Sequence, residues 1–312
     1  MLKQNLTIKS KNKVMNTTIA ILGATGNLGA RIVKSLIEKR AVVRAIVRSS
    51  SEDDDKTEKL RQSGVEVIMA DMSNQDELAT ALTGASAVVS ALQGLKDVIV
   101  DTQSIVLKAA IDAGVPRFIP SDFCTDFTKL RPGENRNFDL RREFFNIIDN
   151  STIKATSIFN GAFADILAYS APFVDIKNKK IGYWENPDWK IDITSMDNTA
   201  AFTANAALDE SAPRKLLIAG FQISAKELQV LASEVFGTPF TLTNLGSVAD
   251  LAANNKKERA DHPEGEKEVY ASWQGTQYLH SMFSAHHEQL DNDRYPGINW
   301  TGANEILTGI KG

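Results

Sequence analysis

Residues 17–36 read TTIAILGATGNLGARIVKSL, and this stretch decides the architecture. Residues 17–22 are short, apolar and β-branched, the make-up of a strand buried within a sheet. A turn follows: Gly23, Ala24, Thr25, Gly26, Asn27, Leu28, Gly29. Beyond it, Leu28, Ile32, Val33, Leu36 and Ile37 recur at helical spacing. A Gly-x-x-Gly-x-x-Gly turn alone is a weak signal. Set between a strand and a helix it becomes a specific one. Gly23 allows a tight turn off the strand, Gly26 lets a pyrophosphate approach the backbone, and Gly29 lets the helix pack on the sheet. The helix N-terminus then offers unpaired N–H groups and a positive dipole end to the phosphates. Gly23, Thr25, Gly26, Asn27, Leu28 and Gly29 are therefore the expected pyrophosphate loop of a dinucleotide-binding unit.

Outward from this loop the chain alternates. Strands are predicted at residues 41–47, 65–69, 87–90, 117–119 and 154–159. Helices are predicted around Leu60, around Leu78, Ala81 and Leu82, over 98–113 with Gly114 as its C-cap, and over 138–148. Strands alternating with helices define an α/β fold built on a doubly wound parallel Rossmann sheet. Such sheets bind ligands at the carboxyl ends of their strands. After about residue 160 the rhythm becomes irregular. Ser224 followed by Glu227 forms a capping box opening a helix to about Phe236, and residues 216–219 (LLIA) suit an edge strand. The expected organisation is a flexible N-terminal extension over 1–14, an NAD(P)-binding Rossmann domain over 15–160, and a smaller substrate-covering region over 161–312 packed on the sheet.

The end of the second strand distinguishes the nucleotides. An NAD site usually carries a carboxylate there for the ribose hydroxyl. This chain reads Ile46-Val47-Arg48-Ser49-Ser50-Ser51. A guanidinium at Arg48 suits the 2′-phosphate of NADP(H), pairing by charge and two-pronged hydrogen bonds. Arg44 is an alternative on the same strand face. Asp71, ending the third strand, is placed either to meet the adenine amino group or to cap the following turn.

Bulk properties limit the remaining choices. The net charge is -4 and no long basic run occurs, which argues against nucleic acid or an anionic membrane as the main partner. No stretch approaches the ~20 apolar residues of a membrane-spanning helix. One cysteine, Cys124, excludes an intrachain disulfide and fits a reducing, cytoplasmic setting. The four histidines form no His-Glu-x-x-His or Cys/His group, so no metal site is expected. His286 and His287 read as solvated. Cys124 reads as a packed thiol rather than a nucleophile, for want of an activating base. The run YWENPDW (183–189) could stack on an aromatic ligand or form a hairpin with aromatic cross-strand packing. None of the five tyrosines has a lysine four residues later, which disfavours the tyrosine–lysine chemistry of ordinary short-chain dehydrogenases.

ILGATGNLGARIVKSL, VRAIVRSS, VEVIMADMSNQDELATALTGASAVVSAL, AAIDAGVPRFIPSDF and TSIFNGAFADIL together resemble the NmrA-like, isoflavone-reductase-like branch of atypical short-chain dehydrogenases. The tail segment RYPGINW resembles it too. The resemblance implies that Leu92 and Gln93 pass near the adenine ribose and nicotinamide side. It implies that Ser121, Asp122 and Phe123, and Asn160, Gly161 and Phe163, frame the nicotinamide and a small-molecule substrate. The family's reductases carry a catalytic lysine where this chain has Arg141. Arginine stays charged and is a poor proton donor, yet it can stabilise a developing oxyanion. Its other reading is a salt-bridged surface residue, with Leu140, Phe144, Ile147 and Ile148 as the apolar face of its helix. The expected function is an NADP(H)-dependent oxidoreductase of a small carbonyl, quinone or conjugated substrate, with Arg141 and Asp122 at the chemistry. The alternative is a regulator that senses NADP(H) and reports to a protein partner.

Overall fold

The computed structural model describes residues 17–51, 54–169 and 172–311; the expected extension over 1–14 lies outside them. In chain order the elements are β1 (Thr18–Leu22), α1 (Asn27–Glu38), β2 (Val42–Arg48), α2 (Asp55–Gln62), β3 (Glu66–Ala70), α3 (Gln75–Leu82), β4 (Ala87–Ser90), α4 (Gln103–Asp112), β5 (Arg117–Ile119), α5 (Arg136–Asp149), β6 (Lys154–Ala155) and β7 (Ser157–Phe159). There follow β8 (Ala162–Phe163), α6 (Ile166–Tyr169), β9 (Val174–Asp175), β10 (Lys180–Tyr183), β11 (Lys190–Thr194), α7 (Met196–Leu208), β12 (Lys215–Leu217), β13 (Phe221–Ser224), α8 (Ala225–Phe236), β14 (Thr241–Asn244), α9 (Val248–Asp261), α10 (Ser272–Ser284) and α11 (Ala303–Lys311).

Six strands form a parallel sheet in the order β3-β2-β1-β4-β5-β6. The order reverses between β2-β1 and β4, which places the switch point at the end of β1. Successive side chains on a strand point to opposite faces, so β1 feeds two cores. Ile19 and Ile21 pack with Ile32, Val33 and Leu36 of α1 and with Ala200, Phe202 and Ala204 of α7. Ala20 and Leu22 pack with Leu78 of α3, Val106 and Leu107 of α4, and Phe144 and Ile148 of α5. Helix α7 comes from beyond residue 160 yet lies beside α1 on this sheet. The tail binds it there: Tyr295 and Trp300 of RYPGINW pack, tilted, on Phe202, with ring centroids at 4.9 and 6.1 Å.

The predicted strand over 154–159 divides. Thr156 donates to Phe118 O (3.0 Å), but Pro120 has no N–H to donate back, so pairing with β5 stops there. The chain then pairs on its other side, β7 with β12, a strand at Lys215–Leu217 rather than 216–219. The predicted helix over 98–113 also divides. Residues Asp97–Thr102 form a wider π-type turn before α4. Helix α8 starts on the Ser224–Glu227 capping box as predicted.

Two small three-stranded sheets, β14-β10-β9 and β13-β11-β8, belong to the region after residue 160. YWENPDW is not a hairpin, because β10 and β11 lie in different sheets. Its tryptophans are structural: Trp184 packs on Phe283 at 5.1 Å, and Trp189 donates to Met282 O at 3.0 Å. His287 is likewise not solvated. It is 2% exposed, its ring held against Phe159 O (Nε2, 3.1 Å) and Asp192.

Candidate functional site

The turn between β1 and α1 has the shape its glycines require. Gly23 takes φ +77°, and a Cβ there would meet Ala91 O at 2.5 Å. A Cβ on Gly29 would lie 2.0 Å from Gly23 O, so only glycine lets α1 sit this close to the strand. Gly26 closes the turn by donating to Gly23 O at 2.9 Å. It is also the N-cap of α1, and no side chain caps the helix. Helices α2, α3, α5, α7, α8 and α9 each have a side-chain cap and an acidic residue in the first turn. Helix α1 has neither. Its first amides are thus left without a partner of their own and without a repelling carboxylate, the setting an anion needs.

Arg48 stands at the carboxyl end of β2, exposed, and makes no ion pair or hydrogen bond among the described residues. Arg44 is largely committed to the fold: Nε donates to Glu66 (2.8 Å) and Nη1 to Ala81 O (2.9 Å) and Thr83 O (2.8 Å), which leaves Nη2 alone without a partner among the described residues. Arg48, with its whole guanidinium uncommitted, is the better placed of the two for a phosphate. Asp71 uses Oδ1 to accept from Ser73 N (2.9 Å) and Ser73 Oγ (2.8 Å), a turn-capping role, and these bonds hold its carboxyl below the usual range. The uncapped α1 and the free guanidinium of Arg48 fit a dinucleotide carrying a 2′-phosphate.

A second group of residues gathers at the ends of β4 and β5. Ser121 is its hub. Its N–H donates to Gln103 Oε1 (3.1 Å), its hydroxyl to Leu92 O (2.6 Å), and its carbonyl accepts from Arg141 Nε (3.0 Å). Gln103 is 1% exposed and reaches Ser121 from the base of the wide turn, where its Nε2 donates to Ile99 O (2.7 Å). Arg141 also donates through Nη1 to Asn137 O (3.1 Å), which leaves Nη2 without a partner. Arg141 is partly buried and carries no salt bridge among the described residues. The buried face of α5 is Phe138, Phe144, Phe145 and Ile148, while Ile147 is 37% exposed. Arg141 therefore lies on the inward face, between Phe138 and Phe145, and not off it. Gln93 donates to the Tyr270 hydroxyl, and Asn137 Nδ2 donates to the Tyr278 hydroxyl at 2.8 Å.

Asp122 is 1% exposed. Its Oδ2 accepts from Ser157 Oγ (2.7 Å), which accepts from Arg214 Nη1 (2.7 Å). Burial pushes its carboxyl up to about 6, partly offset by the Ser157 bond and the charges of Arg141 and Arg214. Arg141 and Asp122 are neighbours, but Asp122 faces the interior. Burial drives the Cys124 thiol above its usual range, so it is no nucleophile. Asn160, at the end of β7, is fully buried, and neither Oδ1 nor Nδ2 has a partner. Such an orphaned amide beside the strand ends is a group a ligand can answer. Gly161 packs against β11, where a Cβ would come within 2.3 Å of Asp192 O. Gln103, Asn137, Tyr270 and Tyr278 were not legible as site residues. Gln103 alone left a trace, as a polar residue among the apolar positions of α4.

Among the described residues no group of three or more His, Cys, Asp or Glu could hold a metal, and no helix is long and apolar enough to cross a membrane. The sheet order, the glycine turn and the open α1 terminus define a Rossmann-type α/β protein. More particularly, residues 15–256 match the family model described as the NmrA-like family, and the chain belongs to that family. Among curated relatives, isoeugenol synthase 1 of Petunia hybrida is 26% identical, with 93% of this chain and 92% of the relative covered. Among solved structures, AtPrR2 with NADP+ and (+)pinoresinol superposes with a TM-score of 0.76 at 20% identity, covering 95% of this chain and 99% of that one. An NADPH-dependent quinone oxidoreductase of Escherichia coli does so with a TM-score of 0.71 at 22% identity, covering 94% and 100%. These structural likenesses bear on the fold.

Proposed function

We propose that this chain is an NADP(H)-dependent reductase of a small carbonyl, quinone or conjugated organic substrate. The observation that carries the reading is Arg48, a guanidinium without a partner among the described residues at the end of β2, in the same nucleotide site as the uncapped N-terminus of α1. Residues 15–160 are the nucleotide-binding unit and 161–312 the region that covers the substrate. Thr25, Asn27 and Leu28 offer the pyrophosphate their backbone, Arg48 takes the 2′-phosphate, and the free Oδ2 of Asp71 faces the adenine. Leu92, Gln93, Asn160 and Gly161 line the far end of the nucleotide. Bound NADPH supplies the hydride; the protein orients the reactants and handles charge.

Arg141 takes the position of the family's lysine. Two of its nitrogens are fixed on backbone carbonyls, so the guanidinium is held rigid with Nη2 free for a substrate oxygen. A preoriented cation in a partly buried site stabilises an oxyanion strongly. Asp122 supports this arrangement from below rather than contacting substrate. The names of the similar proteins favour conjugated and phenolic substrates: isoeugenol synthase, a complex with (+)pinoresinol, and a quinone oxidoreductase.

The test is titration of purified protein with NADPH and NADH, then oxidation of the bound NADPH by a panel of quinones, aryl ketones and enones. Preferential NADPH binding followed by turnover is expected. Tight NADPH binding without oxidation by any member of the panel would replace this reading with that of a nucleotide sensor.

A further inference from the structure

If Arg141 stabilises charge but cannot release a proton, the reduction needs a separate acid. Every titratable side chain close to Arg141 is a candidate. Asp122 faces the interior, on Ser157. Cys124 is buried and donates toward Asp122 O at 3.7 Å. Tyr278 is different. It is only partly buried, its ring is held edge-on against Phe138 at 5.3 Å, and its oxygen accepts from Asn137 Nδ2 at 2.8 Å. Its own O–H has no acceptor among the described residues. Asn137 binds both groups, giving its amide to Tyr278 and its carbonyl to Arg141 Nη1 at 3.1 Å. Asn137 of α5 thus sets the phenol, from α10, beside the guanidinium; the phenol O–H and both hydrogens of Arg141 Nη2 are unspent.

Resting on the reductase reading above, we infer that Tyr278 is a catalytic residue, the proton donor to the substrate oxygen. As the substrate carbon accepts hydride, its C=O π bond opens onto oxygen. The Tyr278 O–H bond breaks, and the substrate O–H bond forms. The phenolate left behind is held by the Asn137 amide and the Arg141 charge until solvent returns a proton. Burial raises the phenol while Arg141 and the Asn137 bond pull it back, so the proton is in place at neutral pH.

The experiment uses Tyr278→Phe and a probe that cannot react. Phenylalanine keeps the ring on Phe138, and Asn137 Nδ2 keeps Val269 O at 3.0 Å, so the variant is expected to fold, which its melting temperature checks. The protein is loaded with NADP+ and titrated with para-nitrophenol, whose anion is seen by its visible absorbance, and with nitrobenzene as the neutral match. Tyr278→Phe is expected to weaken phenolate binding about tenfold or more, the loss of one hydrogen bond to a charge. Nitrobenzene and NADPH affinity are expected to stay unchanged. In turnover, kcat is expected to fall with KM little altered. Equal phenolate affinity in both proteins, or none in the wild type, would overturn the assignment. Failure of the wild type to oxidise NADPH with any substrate would instead overturn the reductase reading, while the phenolate comparison still decides whether Tyr278 donates into this site.

Discussion

Replacing Arg48 with alanine separates the nucleotide reading from the fold. No ion pair or hydrogen bond to a described residue is lost, because Arg48 makes none. The melting temperature should therefore stay within the scatter of a surface substitution. NADPH should suffer and NADH should not. A hydrogen bond to a charged group contributes about 1.5–3 kcal/mol, and an exposed guanidinium belongs at the low end because water and salt screen it. At about 1.4 kcal/mol per tenfold, the NADPH-to-NADH affinity ratio should drop roughly 10- to 30-fold at low salt. It should drop less as ionic strength rises, since the interaction being removed is screened. Calorimetric titration of both nucleotides against both proteins at two salt concentrations reads all three quantities. Arg44→Ala is the control. It removes three bonds, to Glu66, Ala81 O and Thr83 O, so it should destabilise the fold by about 1–3 kcal/mol and leave the ratio alone. An unchanged ratio in Arg48→Ala would refute the assignment, however tightly NADPH binds.

Other consequences follow from the same geometry. Gly29→Ala puts a methyl 2.0 Å from Gly23 O, so α1 must move; destabilisation of about 2–3 kcal/mol and loss of NADPH binding are expected by denaturant titration and calorimetry. Arg141→Ala should lower kcat by roughly a hundredfold or more with NADPH affinity intact, whereas Arg141→Lys should recover part of the rate; equal rates in all three proteins would remove Arg141 from the chemistry. Asp122 has a folded-state pKa near 6, above the ordinary carboxylate value of 3.8, so the folded protein binds its proton more tightly than the unfolded chain. Its contribution is full below about 4 and fades as pH rises through about 6, reaching about 3 kcal/mol at most. Urea midpoints from pH 4 to 7 should accordingly fall for the wild type relative to Asp122→Asn, and parallel curves would contradict the burial argument.

How much of this was readable in the chain depends on distance along it. The nucleotide half is local. Gly23, Gly26 and Gly29 are needed within one turn, and the amides they expose belong to the next few residues, so strand period, turn and helix period together suffice. β4 and β5 were placed at their observed ends for the same reason. The half proposed to carry the chemistry is not local. The face of α5 was misread because Ile147 counts as apolar in a periodicity but lies against solvent, while a guanidinium can turn inward when two carbonyls receive it. Those carbonyls belong to Asn137, one turn away, and Ser121, twenty residues away just past the end of β5. Ser121 in turn owes its position to Gln103, which opens α4 just after a turn whose extra width no hydrophobic spacing signals. His287 was misread as solvated because nothing nearby in sequence announces Asp192 or Phe159 O. Tyr278 is linked to Arg141, through Asn137, only because α10 folds back over the start of α5. A search for tyrosine followed by lysine looks for an acid and its charge partner on one helix. Here the two sit on different helices, joined through Asn137, so the absence of that spacing excludes one arrangement of the chemistry and not the chemistry itself.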